Sequence, residues 1–339
     1  MSEIKNRNYL VDNLKVVLIF FVVFGHVIEF YIKDNYILRT LYVYVYIFHM
    51  PLFIYISGYL SKNFYKMKRK AIRNLLIPYI IFNVIWYTAV YIGTNRVMFS
   101  LVSPGWTLWY LLSLFFWRIS LKYLVKFKYI LIVSFIVGAI VGIFPSVGNT
   151  LSISRTIVFL PFFLLGYYTK EEDLFKISNF NKVLSKVGVV VFLFLAIYIV
   201  KTNLFDYKFL YYSYSFNDLD VSLLKGIILR FILYLSSIIF NICVISLVPN
   251  KKQAYSNLGK ATMNIYVFHI YLVMLVYFFI PKWNISILGN ILILTSPFLI
   301  IYVLSRKRVN KVYDGIFYPV NISIDTGKKS YNKYKKFKK

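Results

Sequence analysis

The feature that most limits how this chain folds is a succession of apolar runs, each about as long as a bilayer is thick, separated by short lysine- and arginine-rich segments. A helix needs roughly 20 predominantly apolar residues to cross a hydrocarbon core, and it satisfies its own backbone groups there. The runs predict helices near 14–31, 40–60, 75–94, 106–118, 128–145, 155–168, 187–200, 221–248, 262–280 and 287–304. The expected fold class is all-α, a polytopic integral membrane protein with about ten transmembrane helices. A net charge of +28 suggests nucleic acid at first sight, but 60% of the 339 residues are hydrophobic and only 15% are charged. That composition excludes an ordinary nucleic-acid binder. One cysteine, Cys243, leaves no disulfide within the chain and no thiolate zinc site.

The charge instead sets orientation, because Lys and Arg are retained in cytoplasmic loops. With the N-terminus inside, 30 basic residues fall in inner segments and 7 in outer ones, Lys33, Arg39, Arg96, Arg155, Lys201, Lys208 and Lys282. This asymmetry predicts that both termini are cytoplasmic. The first run, Val16 to Phe30, has no small-x-small cleavage site after it and reads as a retained span. Residues 1–305 read as one transmembrane domain and 306–339 as a basic cytoplasmic tail that stops transfer and meets anionic lipid. The longest outer segment, 201–222, carries Tyr207, Tyr211, Tyr212, Tyr214 and Phe216 beside Asp206, Asp218 and Asp220. It fits a glycan-binding loop or an interfacial aromatic belt.

Ionisable groups at membrane depth are costly and point to a polar cavity or a partner. Lys15 and His26 are eleven residues apart, three helical turns plus about 20°, so they share one face about 16 Å apart along the axis. Asp12 and Glu29 lie on the same stripe. A cation at the inner mouth and an imidazole deep in the span suit a long anionic substrate with its reactive end at the histidine, the shape of a coenzyme A thioester. Glu29, one turn after His26, can orient the imidazole as a general base. The competing readings are a snorkelling lysine and a structural His–Glu pair. His49 precedes Pro51, which leaves an upstream carbonyl without its helical donor, and Ser57-Gly58 follows. Lys66, Lys68, Arg69, Lys70 and Arg73 suit either orientation or a phosphate clamp. His26, His49 and His269 share no metal-ligand spacing, so no metal is expected.

These residues resemble membrane-bound acyltransferase family 3, in its branch of stand-alone sugar O-acetyltransferases similar to fucose 4-O-acetylase. The opening pattern stands as Asp12-Asn13-Leu14-Lys15 and His26, with Lys where Arg is commoner. Phe48-His49-Met50-Pro51-Leu52-Phe53 through Ser57-Gly58-Tyr59 resembles the second-span signature, and Lys70-Ala71-Ile72-Arg73 with Pro78 the basic inner loop, again with Lys for the first Arg. Trp106-Thr107-Leu108-Trp109-Tyr110-Leu111, Phe162-Phe163-Leu164-Leu165-Gly166-Tyr167 and Leu258-Gly259-Lys260 to Asn264-Ile265-Tyr266-Val267-Phe268-His269 are similar to later motifs, in order, over about residues 7–275.

The resemblance implies acyl-CoA, usually acetyl-CoA, as a cytoplasmic co-substrate with no tightly bound cofactor. It implies a hydroxyl of an envelope or exported polysaccharide, or its precursor, as acceptor. His26 would be the essential histidine, with Lys15, Lys70 and Arg73 on the coenzyme A, and Arg69 of the same basic segment is a further candidate for its phosphates. Asn264, Tyr266 and Ser57 are candidate oxyanion donors. Asp12, His49, Trp109 and His269 are candidate supporting residues, and Arg155 and Arg230 candidate substrate contacts or counter-charges. The setting implied is a bacterial cytoplasmic membrane with lipid contacts, and no extracytoplasmic esterase-like domain is expected. Self-association or membership of a polysaccharide synthesis complex stays open. The competing functions are export of a glycan or lipid-linked sugar, for which no related halves with paired broken helices are found, and a non-catalytic role in such a complex.

Overall fold

A computed structural model describes residues 7–96, 99–145, 148, 150–280 and 287–317. Among the described residues there is no strand, and the main helices are α1 (Tyr9–Glu29), α2 (Tyr36–Tyr59), α3 (Phe64–Ala71) running into α4 (Ile77–Thr94), α5 (Trp109–Leu124), α6 (Ile130–Ile140), α7 (Ile153–Tyr168), α9 (Lys182–Thr202), α10 (Leu223–Leu247), α11 (Thr262–Phe279) and α12 (Ile287–Leu304). The short α8 (Glu171–Ser178) lies between α7 and α9. Eight of these units are long and apolar enough to cross a bilayer, whereas α5 has 16 residues and α6 only 11. The protein is an all-α polytopic membrane protein.

Asparagine starts several helices by accepting the first free backbone N–H groups, as Asn8 does for Val11, Asn35 for Leu38, Asn63 for Lys66 and Asn181 for Val183 and Leu184. The expectation of a basic inner loop around Lys70-Ala71-Ile72-Arg73 is corrected by one such cap. Capped by Asn63, the Lys- and Arg-rich stretch is helical and continues as one 31-residue unit from Phe64 to Thr94. A π-turn, Ile72–Leu76, joins the halves, with Ile77 N–H donating to the Ile72 carbonyl. Pro78 explains the wider turn, since its ring would crowd the carbonyl four residues back in a regular α-helix.

At the centre, α2 crosses α7 closely because glycine faces backbone on both sides. A Cβ at Gly58 would collide with the Phe163 carbonyl, and one at Gly166 with the Tyr55 carbonyl. Both motif glycines are therefore packing contacts. The carbonyl of Ile47, deprived of its donor by Pro51, accepts the Ser237 hydroxyl of α10 at 2.6 Å. The break in α2 is satisfied by protein.

Residues 204–221 do not form an exposed loop. Two 3-10 turns, Tyr207–Tyr211 and Asn217–Leu219, fold back over the bundle with Phe209, Leu210, Tyr212 and Phe216 buried. Phe216 fits against Gly142 and Gly226, where a Cβ would meet its ring at 2.6 Å. Two of the acids serve the turns locally, Asp206 accepting from Lys208 N–H and Asp218 from Ser215 N–H.

The start of the expected tail also differs. Residues 307–317 are helical, and Tyr313 and Phe317 pack on Phe268 and Phe82, while Asn310 pairs with Asn264. Val309, Tyr313 and Phe317 recur every four residues and form one apolar face. Residues 318–339 lie outside the described part. Arg7 at the start of the described chain meets Asn257, so it and Asn310 both lie against the 257–264 stretch that begins α11.

Candidate active site

Helix α1 carries the central pair. His26 Nδ1–H donates to Glu29 Oε2 at 2.9 Å, with both side chains about 15% exposed. The i,i+3 spacing puts them on one face, as expected. The second Glu29 oxygen, Oε1, accepts the Tyr211 hydroxyl at 3.0 Å. Burial first, and then the Glu29 charge, holds the Tyr211 phenol far above its ordinary range, so it remains a donor. With Nδ1 engaged, Nε2 is the His26 nitrogen available to a reactant.

This chain of groups lines a 400 Å³ cavity walled by Trp106, Trp109, Tyr46, Tyr214, His49 and Arg155. The aromatic wall is positioned from below. Buried Asn83 on α4 accepts from Gly105 N–H at 2.7 Å and donates to the Ser100 carbonyl at 2.7 Å, pinning the segment that delivers Trp106. Arg155 on α7 holds residues 211–213 over the cavity, with Nε donating to the Tyr211 carbonyl at 2.9 Å and Nη2 to Ser213 Oγ at 3.1 Å. Its guanidinium lies 5.3 Å from the Trp109 ring centroid, and Trp109 stacks on Phe159.

The three histidines converge. The His269 ring is 5.4 Å from that of His26, and His49 lines the same cavity. Their Nδ1 atoms face backbone carbonyls, Val45 for His49 at 2.9 Å and Tyr266 for His269 at 2.7 Å. Among the described residues no group of three His, Cys, Asp or Glu side chains is arranged to hold a metal ion.

Toward the basic end the expected stripe is interrupted. Lys15 lines a separate 190 Å³ cavity with Ser57, Asn74, Tyr110, Arg118 and Tyr266, and this cavity shares no lining residue with the one at His26. Between them, Ser57 Oγ lies 2.6 Å from the Tyr110 hydroxyl, Phe53 meets Tyr110 edge to face, and the Tyr266 hydroxyl donates to the Thr107 carbonyl. Three aromatic side chains from α2, α5 and α11 thus partition a path that the α1 periodicity alone would leave open. Ser57 and Tyr266 belong to that partition. Lys15 is paired with Asp12 at 2.9 Å, and Asp12 also accepts from Arg7 at 2.6 Å. Asp12 is a partner of cations at the mouth and lines neither cavity.

Outside the Lys15 cavity, and meeting it at Asn74, a 630 Å³ cleft is lined by Tyr65, Lys66, Arg69, Lys70 and Arg73. Helix α3, continued through the π-turn that carries Arg73, brings these cations to one wall. Asn264 and Arg230 lie apart from all three. Asn264 pairs with Asn310. Arg230 is buried among the rings of Phe209, Tyr212 and Phe216 at 5.1, 4.8 and 5.4 Å, with no hydrogen-bond partner for its three nitrogens among the described residues. Its guanidinium stacks on the folded-back segment, and among the described residues no acid is paired with it. Arg118 was legible only as a basic residue at the end of a run, although a cation inside the 16-residue α5 is itself a signal of a polar cavity.

A family model described as an acyltransferase domain, acyltransferase 3, matches residues 8–306. The chain belongs to acyltransferase family 3. Among curated proteins this family member is similar to Nodulation protein NolL of Sinorhizobium fredii (strain NBRC 101917 / NGR234), 32% identical over 183 residues, and to Nodulation protein NolL of Mesorhizobium japonicum (strain LMG 29417 / CECT 9101 / MAFF 303099), 30% identical over 183 residues. Each match covers 48% of this chain and 48% of the relative, so the chain spans about half the length of the curated relatives it matches. No solved structure matches. By family and by its apolar helices the chain is thus a multi-pass membrane protein of acyltransferase family 3.

Proposed function

We propose that this acyltransferase moves an acyl group, acetyl in the simplest case, from coenzyme A bound at the basic end to a carbohydrate hydroxyl in the His26 cavity. The observation that carries the reading is the Tyr211–Glu29–His26 chain at the wall of an aromatic cavity, stacked along α1, α2 and α5 above a cation-lined cleft. Arg69, Lys70 and Arg73 take the phosphates, with Tyr65 beside them, while Lys15 and Arg118 line the inner part of the way to the thioester. Trp106, Trp109 and Tyr214 offer flat apolar faces to a sugar ring beside polar groups that fix it. The basic end is placed on the cytoplasmic side of a bacterial cytoplasmic membrane, where Lys and Arg are retained.

In the transfer step His26 Nε2 takes the proton of the acceptor hydroxyl as its oxygen attacks the thioester carbonyl. The carbon–sulfur bond then breaks, the ester remains on the sugar, and the thiolate leaves with the proton returned by the imidazolium. Glu29 holds the ring and offsets its charge, and Tyr211 holds Glu29. The Phe53, Tyr110 and Tyr266 partition must part for the acyl group to reach His26. The test is release of coenzyme A and labelling of candidate glycans by the purified chain with radiolabelled acetyl-CoA. His26→Ala is expected to lower turnover by about 10²–10⁴, the usual worth of a general base. Unchanged turnover in His26→Ala would overturn the mechanism, and no transfer from any acyl-CoA would overturn the donor assignment.

A further inference from the structure

The charge pattern of the sequence assigns the segments around the His26 cavity to the outer side, where cations are sparse, 7 basic residues against 30 in inner segments. Three of those seven, Lys33, Arg39 and Lys208, line one cavity of 310 Å³. They come from the α1–α2 turn, the first turns of α2 and the Tyr207–Tyr211 turn, so tertiary folding gathers them. Arg39 is held in place there, with Nε donating to the Ile32 carbonyl at 2.8 Å and Nη2 to the Lys33 carbonyl. One acid, Asp206, lines the cavity, and its carboxylate already accepts the Lys208 backbone N–H. Orientation rules deplete cations at this end, so they do not explain three in one hollow.

The rest of the wall narrows the ligand. Ile199 and Val200 of α9 supply an apolar flank, at the level where exposed Tyr36 and Tyr198 mark an interfacial belt. Phosphoryl oxygens accept Arg and Lys donors well, and an attached hydrocarbon would follow the α9 flank. One aromatic layer separates this hollow from the catalytic cavity. Tyr207 lines the hollow and its ring stands edge-on to Tyr211, which lines the His26 cavity, at 6.0 Å. Lys208 Nζ is itself 6.0 Å from the ring of Tyr214, another wall of that cavity.

We infer that this hollow binds the phosphoryl group of an amphiphile at the membrane surface beside the His26 cavity. The phosphoryl group belongs to a bilayer phospholipid or to the acyl acceptor itself, the second resting on the function proposed above. The test uses the full chain in dodecyl maltoside, which carries no phosphate, with radiolabelled farnesyl diphosphate as probe. Saturable binding that weakens with salt is expected, reduced about tenfold or more in Lys33→Gln/Lys208→Gln, which spares the backbone contacts of Arg39. His26→Ala should bind the probe as the wild type does, so loss of acyl transfer and loss of phosphoryl binding are read separately. Displacement by phosphatidylglycerol assigns the site to bilayer lipid, and resistance to it assigns the site to the acceptor. Equal binding by the double variant and the wild type, or no saturable binding by the wild type, overturns the inference.

Discussion

Replacing Tyr211 by phenylalanine removes one hydroxyl and little else, which makes it the cleanest probe of the candidate site. The lost bond is the 3.0 Å donation to Glu29 Oε1, leaving that carboxylate held, among the described residues, by His26 Nδ1. A hydrogen bond to a charged group is worth about 1.5–3 kcal/mol, and the half-buried position returns part of this through water. A net loss of about 1–2 kcal/mol in the orientation of Glu29 and His26 corresponds to roughly a 5- to 30-fold fall in kcat. The phenol is held far above its ordinary range by burial and then by Glu29, so it does not titrate in an accessible assay range. The variant should therefore lower the whole pH–rate profile without adding or removing an alkaline limb. The KM for acetyl-CoA should stay unchanged, because Tyr211 faces the His26 cavity and not the basic cleft. Steady-state coenzyme A release in detergent or nanodiscs between pH 6 and 9, on the order of the range accessible to such assays, supplies all three numbers. Wild-type kcat in Tyr211→Phe would refute the relay, and a change confined to the acetyl-CoA KM would refute the assignment of the two ends.

Lys70→Gln/Arg73→Gln should raise the KM for acetyl-CoA by about 10-fold with little change in kcat, and the defect should shrink at high salt, as kinetics over a salt series will measure. Gly166→Val should cost about 2–3 kcal/mol or prevent folding, since its side chain meets the Tyr55 carbonyl and cannot be moved aside by a rotamer change; thermal unfolding in detergent checks this against Gly93→Ala, where a Cβ meets nothing. Arg230→Met should fold with stability within about 1 kcal/mol of wild type, because the lost ring contacts are offset by no longer burying guanidinium donors without partners. A loss above about 3 kcal/mol there would mean that the guanidinium has a bound partner.

How much of the site could be read in advance depended on how far apart in sequence its members lie. His26 and Glu29 were legible because a helix turns 100° per residue and fixes i,i+3 neighbours whatever surrounds it. The basic residues at 66–73 were legible as a cluster, but their wall-like arrangement came from the Asn63 cap and the π-turn at Pro78. Tyr211 was one of 32 tyrosines, and nothing local distinguishes the one that reaches Glu29 across 182 residues. Arg155 and Arg230 looked alike as cations in apolar surroundings. The fold set them in different roles, one at the rim of the His26 cavity and one inside a cage of rings.

By itself the sequence determined the series of apolar membrane helices, the basic cluster at 66–73 and the His–Glu pair, all consequences of hydropathy and helical periodicity acting over short spans. Only the tertiary structure decided that Lys15 and His26 open into separate cavities, that the 204–221 segment folds inward to bring Tyr211 to Glu29, and that three sparse cations share one hollow. The physical reason is that apolar helices of similar composition do not announce their neighbours. Which faces meet is settled by shape, through glycines that admit backbone at Gly58 and Gly166 and a serine that answers the carbonyl freed by Pro51.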